Sequence, residues 1–120
     1  MARGGSGKRL ERKMELLIKR TDELRVALEQ FGETTQRGLA LIRSGDVSLV
    51  EGLATTRAGT ARERLNKALD QMETARREVR VAMSDVAVEE GASLSELARA
   101  LGVSRQLLSR LAISSRAEQT

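Results

Sequence analysis

The chain contains no cysteine, histidine, proline, tryptophan or tyrosine, and its only aromatic residue is Phe31. Each absence removes a class of function. Without cysteine there is no disulfide and no thiolate metal site, and without histidine the commonest general base and metal ligand is gone. Catalysis is therefore not expected, nor is a bound metal or cofactor. No apolar run approaches the roughly 20 residues that a membrane-crossing helix needs, and the first residues lack the hydrophobic stretch of a signal peptide. The expectation is a cytoplasmic chain without a membrane partner. With one aromatic and no proline there is little from which to build a strand-rich sheet.

What is abundant is alanine, leucine, arginine and glutamate, all good helix formers, so the 120 residues read as an all-α chain of one domain, or one small domain with an extension. The formal charge is +4, too small an excess to identify a partner, so the placement of charge matters more. Only Lys8, Lys13, Lys19 and Lys67 among the 21 basic residues are lysine, an arginine bias typical of GC-rich bacterial coding. The opening MARGGSGKRLERK is basic and glycine-rich. Residues 1–9 read as a flexible arm in which Arg3, Lys8 and Arg9 either follow a nucleic-acid groove or serve as a solubilising tail.

From Leu10 the apolar positions Leu10, Met14, Leu17, Thr21, Leu24, Leu28 and Phe31 alternate in steps of four and three, the mark of a heptad seam. Ser44-Gly45-Asp46 reads as a turn, with Gly45 ending one helix and Asp46 capping the next. A second stripe runs through Ala54, Ala58, Ala61, Leu65, Ala68, Met72, Ala75, Val79, Ala82 and Val86, and closes at Glu89-Glu90-Gly91. The pattern predicts a long helical hairpin over residues 10–75 that pairs with a second copy to form a homodimer. Leu17, Leu24, Leu28, Leu65, Ala68, Met72, Ala75 and Val79 are its expected dimer seam.

The last third of the chain carries the most specific signal, LSELARALGVSRQLLSRLAI over Leu94–Ile113. Ser93 and Glu96 form an S-x-x-E capping pair, Leu97, Ala98 and Leu101 share one face, and Gly102 suits a left-handed turn. Ser104 then caps a second helix whose inward face is Val103, Leu108 and Leu111. Arg105, Gln106, Ser109 and Arg110 project outward, where arginine can bond guanine and glutamine adenine. Ser95, Ser104, Arg99 and Arg116 suit phosphate contacts that position without specifying. Between Ser93 and Arg116 four arginines face Glu96 alone. The other reading of this segment is a helical hairpin that docks on another protein.

These residues resemble the C-terminal helix-turn-helix of serine recombinases, in which a helix ending in Glu-Gly precedes the pair, as VAVEEGASLSELARALGVSRQLLSRL does here. The A-x-x-LGVSR core is also similar to that of small bacterial repressors. The resemblance implies a three-helix DNA-binding domain over residues 76–113, followed by a flexible tail at 114–120. Recombinase chemistry does not come with it, because residues 1–80 have no β-branched run bounded by turns that would read as a parallel strand. Arg76, Arg77 and Arg80, at the end of the long helix, either touch phosphate or solvate the stalk. The functional expectation is a homodimeric, sequence-specific binder of double-stranded DNA, a small bacterial, phage or plasmid transcriptional regulator located at the nucleoid. Two alternatives stand beside it: an architectural or partition protein that bridges or coats DNA, and an adaptor anchored to DNA whose coiled coil docks on a protein partner.

Overall fold

The computed structural model describes residues 4–110, and among these there are helices and connections but no strand. The fold is all-α. The helices are α1 (Gly5–Ser44), α2 (Leu49–Thr56), α3 (Ala58–Glu89) and α4 (Leu94–Leu101), followed by residues 105–110, helical again and labelled α5. Among the described residues no helix is long and apolar enough to cross a membrane. Arg3, Leu111, Ile113, Arg116 and the 114–120 tail lie outside the described residues.

The chain divides into two compact units, one comprising Met1–Ile18 with Thr74–Thr120 and the other Lys19–Glu73. The core of the Lys19–Glu73 unit is Leu24 and Ala27 of α1 against Ala68 of α3, flanked by Leu65 and Met72. A small residue at the contact lets two helix backbones approach closely, and leucine and methionine fill the space on either side. At the start of this unit Arg25 bonds Asp22 and Glu29, and the hydrogen bond to Asp22 raises its guanidinium above the ordinary arginine value. These groups are exposed, so the network adds little to stability.

The turn after α1 differs from the sequence expectation. Gly45 does take the left-handed conformation, at φ +72°. Asp46 is not the cap: its amide donates to the Ser44 hydroxyl at 3.3 Å within the turn, and α2 begins only at Leu49. Ser48 caps α2 instead, accepting the Glu51 amide at 3.2 Å. The second stripe is also interrupted. Ala54 belongs to α2, and Arg57, left-handed at φ +57°, separates α2 from α3.

In the other unit Leu10 of α1 packs with Val79, Ala82 and Val86 of α3, with Leu17 and Met83 against them. Polar pairs run in the same sense. Lys13 meets Glu78 at 3.0 Å, Arg9 meets Asp85 at 3.8 Å, and the Ser6 hydroxyl bonds the Glu89 carboxylate. Earlier residues of α1 thus pair with later residues of α3, which is antiparallel packing.

Two expectations need correction here. The basic arm was expected to be flexible through residue 9, but α1 begins at Gly5 and takes in Lys8 and Arg9. The buried face around Gly7 and Leu10, with the Ser6 and Arg9 contacts to α3, outweighs the low helix propensity of the glycines. The expected dimer seam is also used within the chain. Leu24, Ala68, Ala75 and Val79 are buried by the chain's own packing, and Leu17, Leu65 and Met72 pack against the same two clusters. Leu28 alone of that set is largely exposed, at 51%.

Candidate nucleic-acid interface

The candidate site is assembled from helix ends. α3 closes where Gly91, at φ +82°, donates to the Val88 carbonyl and the Ala92 amide reaches back to Ala87 at 2.8 Å. This paired closure satisfies carbonyls that the helix would otherwise leave free. Ser93 then starts α4, its hydroxyl oxygen accepting the Glu96 amide at 3.1 Å. The hydroxyl also lies 3.3 Å from the Glu96 carboxylate, so both members of the S-x-x-E pair are engaged at this cap.

α4 ends in the same way that α3 does. Gly102 sits at φ +71°, its amide donating to Arg99, while the Val103 amide donates to the Ala98 carbonyl at 3.0 Å. A Cβ at Gly102 would meet no atom within 4 Å, so glycine is needed for the backbone conformation and not for space. Two residues later Ser104 accepts the Leu107 amide at 3.1 Å and begins α5. A turn this short leaves the direction of α5 little freedom relative to α4.

Two side chains fix the pair from behind. Ala98 is 4% exposed and Leu108 is 1% exposed, the most completely buried large side chain among the described residues. With Leu108 turned inward, positions 105, 106, 109 and 110, spaced i, i+1, i+4 and i+5, share the opposite surface of the helix. Arg105, Gln106 and Arg110 are exposed and Ser109 is half-buried. These four line one open recess of about 550 Å³. The four base-reading candidates are therefore together on one face.

The phosphate candidates are distributed around it. Ser95 is exposed in the first turn of α4, where helix amides have no intrahelical partner and the helix dipole favours an anion. Arg99 and Ser104 are also exposed. The Ser104 oxygen is occupied by its capping bond, yet its hydrogen remains able to donate. In the same unit Arg76 and Arg77 of α3 are exposed and Arg80 is half-buried. Lys8 is exposed on α1, whereas Arg9 is engaged with Asp85. No three His, Cys, Asp or Glu side chains converge as a metal site among the described residues.

Sequence reasoning did not anticipate that the unit containing α4 and α5 also includes α1 up to Ile18. A weak signal was present: Leu10 and Leu17 begin the α1 stripe, and Val79 and Val86 end the α3 stripe, so an antiparallel hairpin brings them together. No protein-family model matches this chain, and neither a curated protein nor a solved structure matches it.

Proposed function

We propose that this chain binds double-stranded DNA in a sequence-specific manner, with α5 as the reading helix and α4 against the phosphate backbone. The observation that carries the reading is the shared outward face of Arg105, Gln106, Ser109 and Arg110 on a helix anchored by Leu108. A major groove admits an α-helix, and arginine and glutamine near the helix start have the donors and acceptors that distinguish one base pair from another. Ser95, Ser104 and Arg99 supply contacts that set register, and the local excess of arginine attracts the phosphates. The role is that of a transcriptional regulator acting by occupancy at the nucleoid.

The test is selection of bound fragments from a random DNA pool by the full chain at near-physiological salt, repeated with Arg105→Ala. The wild type enriches a defined site. The variant keeps its helix content and loses preference at one base position, by about 1–3 kcal/mol or roughly 5- to 150-fold. Enrichment of nothing beyond base composition would replace sequence reading with an architectural role. A variant that behaves as the wild type would remove Arg105 from the reading face.

A further inference from the structure

The Lys19–Glu73 unit, which does not contain α4 or α5, has an apolar groove of about 420 Å³. Phe31, Leu39 and Ile42 of α1 and Leu53 of α2 form its walls, and among its lining residues Arg62 alone carries a charge. Gly52, buried at this point, has Ile42 and Val47 at ordinary contact distance from where a Cβ would stand.

α2, whose Leu53 lines this groove, carries an exposed apolar ridge. Leu49 is 62% exposed, Val50 76% and Leu53 48%. On α1 the positions 28, 31, 35, 39 and 42 form one helix face, and on it Leu28, Phe31, Leu39 and Ile42 are 37–51% exposed. One unit therefore displays both a socket and a plug of matching chemistry.

We infer that this groove and ridge form the homodimer interface, and that the occupant is a second copy of this chain. An interface about a twofold axis uses the same patch on both copies, so each copy's α2 ridge fills the other's groove. The seven side chains expose more than three and a half side-chain equivalents. At roughly 150 Å² for a large side chain this is about 550 Å² per copy and about 1,100 Å² in total. With all of it covered, that total clears the roughly 1,000 Å² that a specific interface requires, and the patch on each copy is at the upper end of what a monomer ordinarily leaves bare. An acidic or basic partner would find one charge to meet in the groove, whereas an apolar face finds its complement. The inference does not depend on the DNA reading, since it concerns a different unit and is tested without DNA.

The experiment is sedimentation equilibrium of the full chain up to about 100 μM, a range that captures a micromolar dimer. The expected mass is twice 13.1 kDa. Leu39→Glu with Leu53→Glu returns it to 13.1 kDa, with helix content by circular dichroism unchanged. Val50→Glu, at a side chain with little to lose in the monomer, raises the dimer Kd about tenfold or more. Ile18→Glu, 70% exposed in the other unit, leaves the mass alone. A wild-type chain that stays at 13.1 kDa overturns the inference, and binding of an apolar fluorescent dye under that condition would give the groove to a small apolar ligand. A dimer insensitive to both Val50→Glu and the double variant overturns it equally.

Discussion

Leu108→Ala tests whether the reading face is fixed by packing or merely drawn in place. The substitution removes three carbons from a side chain that is 1% exposed. At ~0.8 kcal/mol for each buried carbon group the transfer loss is about 2.4 kcal/mol, and the cavity left behind raises the total to about 3–5 kcal/mol. Domains of this size have ~5–15 kcal/mol of stability in all. The loss is therefore a large share of what holds α4 and α5 to their unit. Amide hydrogen exchange reads it directly, because each 1.4 kcal/mol is about a factor of ten in the opening equilibrium. Amides of α4 and α5 should lose protection about a hundredfold or more, and DNA affinity should fall with it. Ile18→Ala, at a side chain 70% exposed, is the control and should cost under about 1 kcal/mol. Unchanged protection in Leu108→Ala would mean that the side chain does not anchor α5. The assignment of Arg105, Gln106, Ser109 and Arg110 to one outward face would then lose its basis.

Two further substitutions test the rest of the fold. Arg57→Gly should raise the denaturation midpoint, because a non-glycine residue in the left-handed region costs about 1–2 kcal/mol, of which the greater freedom of glycine in the unfolded chain returns part. A net gain of about 0.5–1 kcal/mol by urea titration is expected, and a loss would show that the arginine side chain contributes more than its backbone costs. Ala75→Glu places a carboxylate at a position 3% exposed within a single chain, so helix content and the urea midpoint should fall together, with several kcal/mol lost. A variant that stays fully helical and changes only its sedimented mass would move this seam from within the chain to between chains.

The parts of the fold legible in the sequence were those with a local chemical marker. Ser93 with Glu96, Gly91, Gly102 and Ser104 each act within one turn of themselves, and each sits at a helix end as its side chain or backbone requires. Ser48 with Glu51 is the same kind of local marker, although the sequence reading placed the cap at Asp46. Partner identity was not legible. A heptad stripe states that an apolar face needs covering, but whether Leu24 meets Ala68 of its own chain or of another is decided by the turn between them. Arg57 gave no warning either, since arginine is an ordinary helix former, yet it takes the left-handed conformation that ends α2. For the reading face, the sequence placed the four residues on one side by periodicity. The depth to which Leu108 is buried depends on tertiary packing, which periodicity does not encode.

The unit containing α4 joins the first residues of α1 to the last turns of α3. Leu10 leaves the ribosome long before Val86, its neighbour in the folded core. The Lys19–Glu73 unit has all its residues available at a stage when Leu10 and Gly7 still lack their covering helix. The segment proposed to read DNA therefore belongs to the part of the molecule that closes last, after a long loop has been paid for in entropy. A chain interrupted before α3 is complete would have one finished unit and no stable base for α5. Competence to read DNA would thus appear only once α3 has been made and has closed on the start of α1.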